Sequence, residues 1–153
     1  MNSKFIIHNA EFPDFANYEF IMFIMQNLEN TMKENIIEEK SFEFAVRIVN
    51  LYRYLCEEKR EYVMSKQLLR CGTSIGANVA ESQRAQSRPD FAAKLNIALK
   101  EANETYYWLR LLHRTDYISD REFQSIEPEI KEIISILYAI CKSTNIKFKI
   151  HNS

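Results

Sequence analysis

The sequence predicts an all-α protein, because turn residues are scarce and apolar residues follow a helical period. Glycine and proline occur two and three times in 153 residues, whereas average usage would give roughly 18 of the two together. Because strands need frequent turns, this scarcity disfavours sandwiches, barrels and folds with many short connections. Apolar residues instead recur every three or four positions, as they do on an amphipathic helix. We therefore expect four long helices in an antiparallel, up-down-up-down bundle.

The first 31 residues differ in composition from the remainder. They contain one lysine and four acidic residues, for a net charge of −3. Met22, Met25 and Met32 precede the first strongly patterned segment, so this stretch can be an N-terminal arm, an extra helix or translation from an upstream start. We accordingly divide the chain into an N-terminal extension at 1–31, a four-helix bundle at 32–144 and a basic C-terminal tail at 145–153.

The first predicted helix covers about residues 36–58 and carries two neighbouring apolar rows. Both rows repeat at intervals of three and four residues; one contains Phe42, Ala45, Val49, Tyr52 and Cys56, and the other contains Phe44, Ile48, Leu51 and Leu55. A helix packed on the outside of a bundle needs one such row. A face this wide predicts contact with two layers, and another subunit is one candidate for the second.

The second predicted helix covers about residues 63–85 and contains both glycines of the chain. Gly72 and Gly76 lie four positions apart, and each costs about 1 kcal/mol relative to alanine in an exposed helix interior. We expect a neighbouring helix or subunit to approach closely along this row, so that packing offsets the cost.

Three polar residues flank the buried face of the second helix. Asn78 borders that face, and Ser74 and Glu81 lie further round on the same side. They can therefore reach a neighbouring helix or subunit as a polar cluster. We favour a hydrogen-bonded set that fixes helix register over the alternative, a ligand site.

Capping residues predict where the third and fourth helices begin. Ser87 can cap a helix in which Pro89 and Asp90 occupy the first turn. Ser119 followed by Glu122 forms a capping-box pattern ahead of the last apolar row. We expect the third helix to continue to about residue 113 and the fourth to about residue 144.

The sequence gives no support for catalysis or for a cofactor. A di-iron site in a helical bundle requires Glu-x-x-His pairs. The residue three positions before His113 is Arg110, so His113 does not belong to such a pair. No glycine-rich phosphate loop, nucleophile elbow or Cys-His pairing is visible. Glu101 and Glu104 share one side of the third helix, but two carboxylates without partner ligands are more often solvated. We therefore expect no enzymatic activity, no metal, no cofactor and no small-molecule substrate.

The charges are unevenly distributed although the net charge is −1. Residues 59–100 hold eight basic and three acidic groups, for +5, whereas residues 101–134 hold four and eight, for −4. A basic side of this kind suits a phosphate backbone or head-to-tail assembly, although a solvated face is the commoner explanation. The candidate nucleic-acid contacts are Lys66, Arg70, Arg84, Arg88 and Lys94.

The cysteines and the apolar runs indicate the compartment. Cys56, Cys71 and Cys141 form no CxxC pair and fall among apolar helical positions, which is typical of reduced core thiols. The longest apolar run near the start, 20–25, is too short for a membrane span or a signal peptide. We expect a cytoplasmic protein that does not enter a membrane.

The chain from about residue 32 to 144 resembles the four-helix-bundle proteins encoded in intervening sequences of bacterial 23S ribosomal RNA genes. The resemblance is carried by Leu68 to Glu81, with its Gly72-Thr73-Ser74-Ile75-Gly76-Ala77-Asn78 core, by Phe91 and Leu95, by Ala98 to Thr105, and by Tyr107-Trp108-Leu109. Glu101, Glu104 and Trp108 therefore belong to the family motif. Many members have Ala-Glu-Gly where this chain has Ala80-Glu81-Ser82.

The resemblance implies a barrel-like homopentamer without known enzymatic activity. It also implies a precedent for nucleic-acid binding, because a related branch serves diversity-generating retroelements and binds RNA and a reverse transcriptase. The leading hypothesis is therefore a non-catalytic homo-oligomer that binds structured RNA through the basic face of the second helix. The alternative is a protein-interaction or assembly scaffold without nucleic-acid binding.

Overall fold

The computed structural model describes the backbone of residues 15–151 and the side chains of residues 18–144. This part of the chain forms four helices and no strand, which confirms the all-α prediction. They are α1 Phe15–Glu57, α2 Met64–Ser82, α3 Arg88–Arg114 and α4 Asp120–His151. The chain divides into two compact units, residues 1–32 and residues 33–153.

The second unit is built around an apolar core to which all four helices contribute. The largest fully buried side chains are Ile37, Phe44, Ile48 and Leu55 of α1, Leu68 and Ile75 of α2, Leu95, Leu109 and Leu112 of α3, and Ile130, Ile133 and Leu137 of α4. Complete burial of each such side chain contributes about 1.5–3 kcal/mol relative to leaving it exposed. The core therefore consists of one buried row from each helix.

Polar contacts join α1 to α4 along the outside of this core. Lys40 Nζ lies 3.1 Å from a carboxylate oxygen of Glu132. Further along α1, Arg47 Nη2 donates to Ser125 Oγ at 2.9 Å, and the same guanidinium pairs with Glu129. Residues later in α1 thus pair with residues earlier in α4.

The first connection relies on a carboxylate in place of a conventional capping residue. Val63 occupies the N-cap position of α2 and makes no side-chain hydrogen bond there. Instead, Glu61 accepts from the backbone N–H groups of Val63, Met64 and Ser65 at 3.0, 2.9 and 2.7 Å. Burial opposes ionisation of Glu61, but these hydrogen bonds outweigh it and lower the pKa of the carboxyl group. The buried carboxylate therefore supplies the acceptors that the first turn of α2 needs.

The third and fourth helices begin as their capping patterns predict. Ser87 accepts from the backbone N–H of Asp90 at 3.2 Å. Ser119 Oγ accepts from the N–H of Glu122 at 3.2 Å, and the Glu122 carboxylate accepts from the N–H of Ser119 at 2.7 Å. Both halves of the capping box are present.

The C-terminus of α3 forms a Schellman motif with aspartate in the place of glycine. The N–H of Tyr117 donates to the carbonyl of Leu112 at 2.9 Å, and the N–H of Asp116 donates to the carbonyl of His113 at 3.2 Å. Asp116 has a φ of 64°, in the left-handed region that glycine usually occupies at this position. Arg60, between α1 and α2, also lies in this region, with a φ of 53°.

Two helices extend beyond the limits that the apolar pattern predicts. Helix α1 begins at Phe15, whereas the pattern begins at about residue 36, and α4 continues to His151, past the expected end near residue 144. Neither glycine nor proline occurs within these added stretches, so nothing in them interrupts helical hydrogen bonding. Residues 1–14 of the predicted extension lie outside the described residues.

Candidate nucleic-acid interface

Helix α2 positions three of the predicted basic contacts. Lys66 is in its first turn, Arg70 is one turn further, and Arg84 follows its last residue. All three are exposed. A helix continuing to residue 85 would align Lys66 with Arg84 after five turns. Because α2 ends at Ser82, Arg84 instead lies in the turn that follows the helix, where its N–H donates to the carbonyl of Glu81 at 3.1 Å.

Arg70 is engaged by two carboxylates of α3. Its Nη1 lies 3.3 Å from Glu101 Oε2, and its Nη2 bonds to Glu104 Oε1. Trp108 Nε1 also donates to Glu104 Oε1, at 3.2 Å. The Arg70 guanidinium, together with Trp108, lowers the pKa of the Glu104 carboxyl group. The structure therefore brings together three predicted motif residues, Glu101, Glu104 and Trp108, around a predicted RNA contact.

Lys94 is also paired with a carboxylate of a neighbouring helix. Its Nζ lies 2.7 Å from Glu81 Oε2, which joins α3 to α2. The hydrogen bond that Lys94 donates to the Glu81 carboxylate raises the pKa of the Lys94 ammonium group. Two of the five predicted nucleic-acid contacts are thus already paired with carboxylates of their own chain.

The other three predicted contacts keep their charges open to solvent. Lys66, Arg84 and Arg88 are exposed, and none of them belongs to an ion pair within residues 18–144. The Arg88 guanidinium lies 5.7 Å from the centroid of the Phe91 ring, a cation–π contact that leaves its charge unneutralised. These three residues, which we call the open cations, are the groups free to meet a phosphate.

The polar residues Ser74 and Asn78 bond to the backbone of their own helix. Ser74 Oγ donates to the carbonyl of Arg70 at 2.7 Å, and Asn78 Nδ2 donates to the carbonyl of Ser74 at 2.8 Å. Of the predicted polar cluster, only Glu81 is hydrogen-bonded to another helix among the described side chains. Ser74 and Asn78 lie partly buried on α2.

The two glycines lie where α1 comes close to α2. A Cβ atom at Gly76 would stand 3.2 Å from the backbone carbonyl oxygen of Ser41, and one at Gly72 would stand 2.8 Å from Cγ2 of Ile48. The second distance is shorter than carbon atoms tolerate. The absence of a side chain at Gly72 therefore permits the close packing of α1 on α2.

The two apolar rows of α1 have different environments. Phe44, Ile48 and Leu55 are fully buried, whereas Phe42 is 67% exposed. An apolar residue outside either predicted row, Val46, is also 44% exposed. An open groove of about 380 Å³ lies beside Phe42, between α1 and α2; it is lined by Asn35, Glu38, Glu39, Phe42, Glu43, Gly76 and Ala80. One side of α1 thus presents apolar surface next to the small residues of α2.

Arg47 is a residue that the sequence patterns did not single out. It bonds to the side chain and backbone of Ser125, 78 positions away, and to Glu129. No local spacing signals a pair so distant in sequence. Its role follows only from the packing of α1 on α4.

Two observations on the described residues concern metal binding and the reactivity of two cysteines. No group of three His, Cys, Asp or Glu side chains in that part of the chain is arranged to hold a metal ion. Burial raises the pKa of the Cys71 and Cys141 thiols, which keeps them protonated and poorly nucleophilic near neutral pH. Within the residues that the structure describes, no helix is long and apolar enough to cross a membrane.

Comparison with known proteins adds a family and a similar structure. The family model described as 23S rRNA-intervening sequence protein matches residues 33–139. A solved structure of a protein of unknown function, from the S23 ribosomal protein family of Bacteroides thetaiotaomicron, is 60% identical with a TM-score of 0.71. The match covers 72% of this chain and 98% of that chain. A search of curated proteins finds no match.

Proposed function

Since the chain belongs to the 23S rRNA-intervening sequence protein family, we propose that it is a non-catalytic, homo-oligomeric four-helix-bundle protein that binds structured RNA. The observation that carries this proposal is the set of open cations. Lys66, Arg84 and Arg88 are exposed and unpaired with carboxylates among the described residues. Cations without an internal partner can exchange solvent counterions for phosphates, which is the main source of nucleic-acid affinity.

The spacing of these cations favours an extended ligand. Lys66 lies in the first turn of α2 and Arg84 lies just past its last residue, so roughly 25 Å of helix separates them at 1.5 Å of rise per residue. A small anion cannot touch both groups, whereas a polyanionic backbone can. Arg70 and Lys94, which were also candidate contacts, contribute less because Glu104 and Glu81 already compensate their charges.

Self-assembly would multiply these few contacts. One subunit offers three open cations, whereas a homopentamer, as the family resemblance implies, would offer several such sets and gain avidity. The exposed Phe42 and Val46 of α1 supply apolar surface for contact between subunits. The matching of Lys40 with Glu132 and of Arg47 with Ser125 supports the antiparallel bundle within each subunit. The free thiols at Cys56, Cys71 and Cys141 suit a reducing compartment, and we place the protein in the cytoplasm.

Electrophoretic shift with a structured RNA across a salt series tests this proposal. We expect binding that weakens with salt, and a Lys66→Glu/Arg84→Glu variant that binds at least tenfold more weakly with a shallower salt slope. Arg114→Glu/Arg121→Glu is the matched control, because both residues are exposed cations within the acidic segment and the change in net charge is the same. No binding by wild-type oligomer, or equal losses in both variants, would rule out this RNA interface.

The second candidate function is an assembly scaffold without RNA binding. It is favoured by the exposed Phe42 beside the groove that Gly76 and Ala80 line. Light scattering of the purified protein distinguishes the candidates when combined with the RNA assay. A stable oligomer that does not bind RNA supports the scaffold function, whereas a monomer excludes that function.

A further inference from the structure

The segment of α1 from residue 18 to 32 exposes an unusual number of large apolar side chains. Their exposed fractions range from 42% to 63%. They are Tyr18, Phe20, Ile21, Met22, Phe23, Ile24, Met25, Leu28 and Met32. Nine of the fifteen residues in this segment are thus large, apolar and exposed. Single exposed apolar side chains are normal on a protein surface, whereas a dense set of this kind marks an interaction site.

Five of these side chains follow the spacing of a coiled coil. Tyr18, Ile21, Met25, Leu28 and Met32 are separated by three, four, three and four positions, which assigns them to the alternating a and d positions of two heptads. All five are exposed along one seam of the helix. The regular 3,4 repeat matches a facing helix of the same kind, because knobs at a and d fit holes formed by another such seam.

We propose that residues 18–32 associate with the same segment of other copies of this chain as a short coiled coil. A second copy of the segment is the occupant that this pattern specifies, because its own seam supplies the complementary knobs and holes. Met22 and Ile24 flank the seam at the e and g positions and are 49% and 42% exposed. They widen the apolar face, which favours more than two helices in the assembly.

The charges of the segment favour a protein partner over a lipid surface. Residues 18–32 contain Glu19 and Glu29 and no lysine or arginine. Interfacial membrane helices instead place basic residues on their polar face, where these meet anionic lipids. Neither carboxylate falls on the a/d seam, so copies of this chain can meet there without burying a charge.

The proposed contact uses residues other than those of the RNA interface and of the region that the family model matches. The family model begins at residue 33, after the last residue of the seam. The similar solved structure is covered almost entirely while 72% of this chain is matched. The seam would therefore add a second mode of self-association to whatever contacts the bundle makes.

Cysteine cross-linking of the full chain tests this proposal. Met25 is the central residue of the seam and occupies an a position, so Met25→Cys faces its own copy in a parallel coiled coil. A mixture of Met25→Cys and Ile21→Cys proteins tests the antiparallel arrangement, in which a positions pack against d positions. Phe23→Cys is the matched control, because Phe23 lies at the outer f position and is 61% exposed, against 58% for Met25. Wild-type protein provides the background from the three native cysteines.

We expect mild oxidation to give covalent dimers of Met25→Cys at least tenfold faster than of Phe23→Cys or wild type, in the absence of RNA. A Leu28→Lys change added to Met25→Cys should abolish this difference. Equal rates at positions 25 and 23, or no cross-linking of Met25→Cys either alone or mixed with Ile21→Cys, would overturn the proposal. If the Met25→Cys thiol were shielded from oxidation when neutral phosphatidylcholine vesicles are present and not in their absence, the proposal would be overturned in favour of a lipid surface.

Discussion

A Cβ atom added to Gly72 of α2 would lie 2.8 Å from Cγ2 and 2.9 Å from Cγ1 of Ile48 on α1. Ile48 is fully buried, and the crowded atoms are attached directly to its Cβ. They cannot move aside by rotation of a distant methyl group, because both γ positions would be in contact. The two residues together therefore set how closely α1 and α2 approach.

We expect Gly72→Ala to lower the free energy of unfolding by about 1 kcal/mol, because overpacking outweighs the helix propensity gained from alanine. In an Ile48→Ala background the same change should be neutral or stabilising, since the crowded atoms are gone. Urea unfolding of the four proteins of this cycle measures the coupling. Equal stabilisation by alanine in both backgrounds would contradict the proposed contact.

Glu61 provides a prediction for stability against pH. We expect Glu61→Gln to cost about 1–2 kcal/mol near pH 7, because the charged acceptors of the α2 cap are lost. The pKa of Glu61 is lowered in the folded protein, so its stabilising effect is present above the unfolded pKa, near 4.5. It is lost as pH falls through the still lower folded pKa.

The measurement is urea unfolding of wild type and Glu61→Gln at pH 7 and in steps below pH 4.5. The difference between the two proteins should shrink as the solution becomes more acidic. Glu57→Gln is a suitable control, because Glu57 is exposed near the end of α1. A difference that stays constant with pH would mean that the ionised carboxylate is not the cap.

Asp116 offers a stabilising change. It occupies the left-handed position of the Schellman motif with a φ of 64°, where glycine carries no steric cost. We expect Asp116→Gly to raise the free energy of unfolding by about 0.5–1 kcal/mol. Thermal unfolding checks this, with Asp116→Ala as the comparison, which should stabilise less than glycine or destabilise. Greater stabilisation by alanine than by glycine would be inconsistent with the backbone explanation.

The ion pairs of Arg70 and Lys94 make a prediction for RNA affinity. If Glu81 holds Lys94 away from phosphates, Glu81→Gln should strengthen RNA binding by about two- to fivefold, in keeping with the modest strength of exposed ion pairs. Glu132→Gln, which removes the partner of Lys40 on α4, changes the net charge equally and should alter binding less. RNA titrations at a single low salt concentration compare the two. Identical effects would show that only total charge matters.

Local signals predicted the parts of the fold that depend on neighbouring residues. Ser87, Ser119 and Glu122 make the capping bonds that their spacing indicates. The glycines at 72 and 76 mark a close helix approach, as their cost in a helix interior implied. The caps could be predicted because both partners of each capping bond lie within a few residues of each other. The close approach could be predicted because the cost of glycine in a helix is a property of that residue alone.

Features that depend on distant partners could not be predicted in this way. Arg70 reads as an exposed cation in the sequence, yet Glu104, 34 positions away, engages it. The capping of α2 was also missed, because Val63 occupies the N-cap position and the carboxylate comes from Glu61. The early start of α1 has a different cause. Residues 15–35 contain neither glycine nor proline, so no local signal in this stretch limits the helix.

The position of Trp108 gives the protein a built-in optical reporter. It is the only tryptophan of the chain, and its indole N–H is bonded to the same carboxylate oxygen that engages Arg70. Its fluorescence emission should therefore respond when the contact between α2 and α3 opens, whether through urea, acid or a bound phosphate backbone. The unmodified protein can thus reveal, in one spectrum, whether a ligand leaves this ion pair intact or takes its place.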